Sequence, residues 1–421
     1  MLVEVVPIVL WSRITGAFSM EGAYYLVTWL MLLGARESDL GWLPLLFAGA
    51  TVAHAGLVIG RRNRHGRLAE PRRTCLIDTG VGRGLWLLAY LWAGACYLLD
   101  WGAFLAVSGC LAFIVAGQAV IMAGASAWTT WIKAIVPERQ RGPFFAWRNV
   151  AGFVAITLVL GALTQPGLWP GEASTDDYRF WFYFSLFTTV CVISLLMLWP
   201  LAWAPPIPAE HDLRHKRSAA LRHAIRRKPA FWRYATWNTI NVAASLSSLT
   251  WLQPLLTECG VTEDTFAWWD ARARVPAVLV GITLAGALIH RIGAVWSITL
   301  VNLILVVALG TFSAMPWMGA DWLPLAMVCD GLGRGALGVA LLSRLHEVIP
   351  HGDARFPALF MGLGGAGALV VSAIELPLLP LVSEWHAAGG AVSAAWCAVA
   401  AAAVLRLFAT PLVLDCKRRH A

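Results

Sequence analysis

The chain has 421 residues, of which 59% are hydrophobic and only 13% charged, with a net charge of +8 from 32 basic and 24 acidic side chains. A water-soluble domain cannot keep so much apolar surface out of water, whereas a bilayer requires it. The charges crowd into short joints, and because the longest polar stretch is 205–230, no room remains for a soluble catalytic domain.

A helix crosses the hydrocarbon core with roughly 20 residues. In chain order, the apolar stretches predict spans at about 11–33, 40–60, 75–98, 102–132, 144–165 and 178–203. A second set follows at about 231–256, 266–289, 295–315, 322–348, 356–381 and 389–413. Met1–Leu10 lacks a basic region and a small-residue cleavage site, so no removable signal peptide is expected. The expected fold is all-α and integral to the membrane: twelve transmembrane helices in two pseudo-symmetric six-helix bundles. The bundles are 1–204 and 231–421, joined by a basic linker over 205–230.

The joints alternate in charge. Arg61, Arg62, Arg64, Arg67, Arg72 and Arg73 follow span two, and Lys133, Arg139 and Arg141 follow span four. Eight basic residues fill or flank the central joint, and Lys417, Arg418 and Arg419 close the chain. The intervening joints carry acids: Glu37 and Asp39, Asp100, Asp176 and Asp177, Glu263 and Asp264, Asp321, and Glu384. This is the positive-inside pattern. It predicts a multi-pass protein of a bacterial inner membrane with both termini cytoplasmic, and it assigns the arginines to retention and lipid contact rather than to nucleic acid. Many of the 23 tryptophans fall near predicted span ends, as interfacial anchors should. The eight cysteines show neither a CxxC nor a clustered spacing, so neither a disulfide framework nor a metal site is expected.

The two halves echo each other. The joint after span eight reads Gly286-x-Leu288-x-His290-Arg291-x-Gly293, and its counterpart after span two reads Gly56-x-Val58-x-Gly60-Arg61-Arg62-Asn63-Arg64. After spans four and ten, Val136-Pro137-Glu138-Arg139-Gln140-Arg141-Gly142 lies opposite Ile349-Pro350-His351-Gly352-Asp353-Ala354-Arg355. Such register implies two bundles related by an axis along the membrane normal. On these residues the chain resembles the major facilitator superfamily over nearly its whole length. The run Ser126-Ala127-Trp128-Thr129-Thr130-Trp131 and the stretch after it look like a subset of bacterial members. His290 stands where the family usually has Asp, while Gly60 and Asn63 replace the Asp and Gly of the first copy. The resemblance implies a cytoplasmic gate at Gly56, Arg61, Gly286, His290, Arg291 and Gly293, and a central cavity lined by spans one, four, seven and ten.

An ionisable side chain deep in a span costs roughly 2.5–3.5 kcal/mol and needs a partner or a task. Glu21 lies roughly 15 Å into span one, and Arg334 roughly 20 Å into span ten. Glu375 and Arg274 fall in the outer thirds of spans eleven and eight, and Arg83 and Arg148 in the inner thirds of spans three and five. Structural readings stand beside the functional ones: Asp330 can pair with Arg334 one turn away, and Arg83 and Arg148 can snorkel to the headgroups. Asn238, Asn241, Ser245 and Ser248 share one face of span seven, and Gln118, Met122, Ser126 and Thr129 one face of span four. Such stripes face protein or water rather than lipid.

No constellation for catalysis is present, and without a nucleotide-binding motif any active transport must draw on an ion gradient. The sequence thus reads as a secondary transporter, not an enzyme, working by alternating access and driven by protons rather than by a bound cofactor. Its partners are a small-molecule substrate and the lipid bilayer, with no obligate protein partner. Glu21, Arg334, Asn238, Asn241, Gln118, Glu375 and Arg274 are the candidates for substrate and proton coupling, and the cations point toward a small organic anion. Proton-driven efflux of amphipaths, and a non-transporting receptor or assembly factor on the same fold, are the alternatives.

Overall fold

The computed structural model describes residues 23–35, 43–65, 70–137, 140–141, 143–150, 154, 175–196, 198–204, 206, 229–261, 263–349, 355–387 and 394–414. Among these the chain is helical throughout. In the first half lie α1 (Ala23–Leu32), α2 (Leu43–His65), α3 (Pro71–Leu99), α4 (Ala103–Ile135), α5 (143–150) and α6 (Asp176–Leu196), the last followed by a short helical turn at Leu198–Ala202. In the second half, α7 is Pro229–Glu258. Then α8 comprises Glu263–Trp269, a π-helical turn at Asp270–Arg274 and 275–292. Next are α9 (294–318), α10 (Leu323–Val348), α11 (Arg355–Ala387) and α12 (Ala394–Leu414). Six helices among the described residues are long and apolar enough to cross a bilayer, and one of them, Arg272–Met318, holds both α8 and α9.

The helix ends follow from local chemistry. Pro71 opens α3, where its missing N–H costs nothing. The α3–α4 turn is made by Asp100 at φ 52, whose N–H reaches the Cys96 carbonyl, and by Gly102 at φ 85. The division between α8 and α9 is a single residue, Gly293, at φ 80 and ψ 164. A side chain cannot adopt that conformation without strain, so the last glycine of the joint motif is what lets the chain reverse there. In the first copy of the joint the chain stays helical through His65, and a Cβ on Gly56 or Gly60 would meet nothing among the described residues.

The chain packs as two compact units, Met1–Ile135 with Trp147–Arg214, and Val136–Ala146 with His215–Ala421. Inside each unit the same pairing recurs. In the first, α4 packs on α3 and α2, and α6 on α3 and α1; in the second, α10 packs on α9 and α8, and α12 on α9 and α7. Val136–Ala146 belongs with the second unit, where Phe145 is fully buried and stacks on His346 at 5.2 Å.

The first unit has an aromatic core joining α1, α3 and α6. Trp29 stacks on Phe180 at 5.8 Å, Tyr90 on Phe187 at 5.0 Å and Tyr97 on Phe180 at 3.8 Å. Its outer faces expose residues such as Phe104 and Leu196, and those of the second unit Val307 and Phe408, as a lipid boundary requires. The second unit has two apolar clusters. One gathers Trp251, Leu255, Phe312, Met327 and Val399, and the other Phe231, Trp237, Ile298, Leu345, Phe360 and Val413.

Candidate functional site

Between those two clusters lies a layer of polar side chains. Trp237 and Ala244 bracket Asn241 on α7, and Ile298 and Leu309 bracket Asn302 on α9. Met327 and Ala340 bracket Asp330 and Arg334 on α10, and Ala403 and Ala409 bracket Arg406 on α12. Arg406 lies roughly 18 Å along its helix, near mid-height. Four helices thus contribute one polar step each at a common level, sealed by apolar packing on both sides.

Arg406 is 3% exposed. Its Nη1 donates to Asn241 Oδ1 at 2.5 Å and to Asn302 Oδ1 at 3.4 Å, and its Nη2 donates to Ser245 Oγ. Asn302 is itself fixed, because its Nδ2 donates to the Arg406 carbonyl at 2.9 Å and to Thr410 Oγ1 at 2.8 Å. All three acceptors of the guanidinium are neutral, and Nε has no partner among the described residues. Among the described residues a cation is therefore held in a low-dielectric interior by dipoles, an arrangement that attracts negative charge.

The carboxylate near it is engaged elsewhere. Asp330, 2% exposed, accepts both oxygens' worth of hydrogen bonding from Arg334 Nε, at 2.8 and 2.7 Å, and stands 3.7 Å from Arg274 Nη1. Arg274 also pairs with Asp270 on its own helix. Asp330 and Arg334 both act electrostatically on Arg406. The described layer and its rim thus hold three guanidiniums, Arg274, Arg334 and Arg406, against two carboxylates, Asp270 and Asp330.

Local sequence explains this placement. Gly331 and Gly335 present bare backbone to α8: a Cβ would fall 2.4 Å from the Arg274 carbonyl oxygen and 2.2 Å from that of Val278. Helices that close bring Asp330 within reach of Arg274. The π-helical turn at Asp270–Arg274 precedes Pro276, which has no N–H to donate to the Arg272 carbonyl; the wider turn absorbs that missing bond.

Arg334, Arg274 and Asn241 from the sequence-derived candidates therefore meet in one place, with Ser245 of the same α7 stripe. Asn238 is buried but turns to α11, donating to the Phe360 carbonyl at 3.5 Å. Gln118 lies on α4 of the first unit, where its Oε1 is buried without a partner among the described residues. Glu21 lies outside the described residues. The backbones of Glu375 and Arg61 lie in α11 and α2, and their side chains are outside the described set. Of the expected gate, Gly286 is buried in α8, whereas His290 and Arg291 are exposed at its end beside Gly293.

Arg406 and Asn302 were not among the sequence candidates. Arg406 sits inside the predicted span 389–413 and meets the intramembrane-charge criterion applied to Glu21, so its signal was present. Asn302 carries no such signal, since a single Asn in an apolar span is common. Arg83 and Arg148 each lie against an indole ring. Arg83 is 3% exposed and lies 4.8 Å from the Trp86 ring, and Arg148 lies 4.1 Å from the Trp128 ring. Each indole face accepts the cation.

No family model and no curated protein matches the sequence. Solved structures do. The major facilitator superfamily proton:xylose symporter XylE, bound to 6-bromo-6-deoxy-D-glucose, matches with a TM-score of 0.68 at 16% identity, covering 98% of this chain and 94% of that one. The major facilitator transporter FucP in the outward conformation matches at 0.66 and 14% identity over 99% and 98%. A bacterial homologue of the iron transporter ferroportin, in its outward-facing state, matches at 0.61 and 12% identity over 99% and 97%.

Proposed function

We propose, for a multi-pass membrane protein with the fold of major facilitator transporters, that the chain is a secondary active transporter of a small organic anion. The single observation that carries this reading is the polar layer of the second unit, whose described residues set three guanidiniums, Arg274, Arg334 and Arg406, against two carboxylates, Asp270 and Asp330. A charge in the hydrocarbon core is kept only where it has a task or a partner, and an anionic solute supplies the missing one. The fold neighbours named as proton symporters support proton coupling, which we assign to Glu21. Both termini and the central basic segment face the cytoplasm of a bacterial inner membrane, as the alternating joint charges indicate.

The test is solute flux in proteoliposomes with an imposed pH gradient of either sign, using radiolabelled lactate, succinate, citrate and phosphate, with xylose as a neutral control. Gradient-driven accumulation of an anion is expected in one orientation, and Glu21→Gln abolishes accumulation while leaving counterflow exchange. Absence of protein-dependent flux for every solute would sink the transporter reading. Unchanged accumulation in the Glu21→Gln variant would remove that residue from the coupling.

A further inference from the structure

We infer that the edge of Arg406 formed by Nε and Nη2 is the carboxylate seat of the solute site, and that the solute carries a single negative charge. The inference rests on the transporter reading above and deepens it. Arg334 and Arg274 already have carboxylate partners. Arg334 Nε donates to both oxygens of Asp330, and Arg274 pairs with Asp270 and stands 3.7 Å from Asp330. Among the described residues Arg406 pairs with no carboxylate, although it is buried where α12 packs on α7 and α9. A guanidinium is costly to keep in such a place unless an anion comes to it.

The donors of Arg406 locate the seat. A guanidinium carries five N–H groups in a rigid fork. Those of Nη1 go to Asn241 and Asn302, and one of Nη2 goes to Ser245. What remains among the described residues is Nε–H and the second N–H of Nη2, which border one edge of the guanidinium plane. A carboxylate meets such an edge with two parallel hydrogen bonds. The neighbours hold that edge in place. Asn302 is tied back to α12, and the Ser245 hydroxyl donates its own hydrogen to the Asn241 carbonyl at 2.8 Å, so its oxygen can only accept from Arg406. Ser245 is half-buried whereas Asn241 and Arg406 are buried, which puts the Nη2 end nearest to accessible surface. None of the three neutral acceptors cancels the charge, and one carboxylate does. With it, the three guanidiniums of the described layer face three anions. A dicarboxylate would bring one anion too many, and a neutral sugar none.

The experiment measures binding and flux on the full-length protein, in detergent and in proteoliposomes, with lactate, succinate, citrate, phosphate and xylose as probes. Binding is read by intrinsic tryptophan fluorescence and by the probe-induced shift in unfolding temperature. Lactate should bind and be carried in preference to the other four. Arg406→Gln should weaken lactate binding at least about tenfold. Arg406→Lys keeps the charge but loses the paired edge, and should still weaken it about fivefold. Ser245→Asp leaves Arg406 in place and sets a resident carboxylate against Nη2. It should unfold at or above the parent's temperature and lose lactate binding. That variant adds an ion pair rather than removing one, so its loss of binding separates an occupied seat from a damaged fold. Parent-like lactate binding in Arg406→Gln or in Ser245→Asp would overturn the seat. Flux of succinate, citrate or phosphate without flux of lactate would overturn it as well, while leaving the anion-transporter reading standing. Flux of no anion at all would end both. Should Arg406→Gln fail to fold, Ser245→Asp decides the question alone.

Discussion

Asn302 holds Arg406 with both ends of its amide. Nδ2 donates to the Arg406 carbonyl and to Thr410 Oγ1, which turns Oδ1 toward the guanidinium. Asn302→Leu deletes all of these and leaves buried polar atoms unpaired, at a cost of about 1–3 kcal/mol. Denaturant unfolding of the solubilised protein should show that loss. Asn302→Asp is the more informative change, because it places a carboxylate against Arg406 and cancels the charge excess. Lactate affinity should then fall about tenfold or more, with stability held near that of the parent. An Asn302→Asp variant that binds lactate as before would mean that the excess charge of this layer is not what recruits the anion.

At the scale of the helix, the placement of the site depends on how closely α10 approaches α8. Gly335→Ala drives a Cβ to 2.2 Å from the Val278 carbonyl oxygen, and the helices must separate. Overpacking of this kind costs about 1–3 kcal/mol, and it draws Asp330 away from Arg274, so anion binding should weaken with stability. Gly310→Ala on α9 is the matched control, since a Cβ there meets nothing within 4 Å and should gain up to about 1 kcal/mol of helix propensity. Comparable unfolding midpoints for the two variants would show that α8 and α10 are not in tight register. Span positions were legible from hydrophobic runs: α7, α9 and α10 begin and end within a few residues of where apolar length and joint charges put them. The run Asp330-Gly331-Leu332-Gly333-Arg334-Gly335 announces small-residue packing, but not which neighbour it packs on. That depends on Arg274 and Val278 in α8 and on Leu305 in α9, all distant in sequence. The π-helical turn was illegible for a related reason, since a proline marks a lost hydrogen bond without saying how the backbone absorbs it.

Over the whole molecule, charge is distributed between the joints and the interior of the spans. Positive joints recur after α2, α4, α6, α8 and α12, and acidic joints between them. The positive-inside pattern assigns each joint a side, while among the described residues three guanidiniums and two carboxylates gather in one layer of the second unit. The two are separable, because joint arginines orient the chain during insertion whereas Arg406 and Arg334 lie within spans and do not count toward orientation. Reporter fusions test the distinction. A fluorescent protein inserted near 220 should light up in the cytoplasm, and alkaline phosphatase joined after Asp100 or Asp321 should be active on the opposite face. Replacing Arg406 and Arg334 by Gln should leave every fusion signal unchanged. Replacing the arginines at 61, 62, 64, 67, 72 and 73 should lower the phosphatase signal after Asp100, since the second joint would no longer be retained. Phosphatase activity at 220 in the parent chain would invert the topology. A changed fusion pattern in the Arg406 and Arg334 variant would instead show that the interior cations help to insert the chain, and the buried layer would then owe its charge to assembly rather than to a solute.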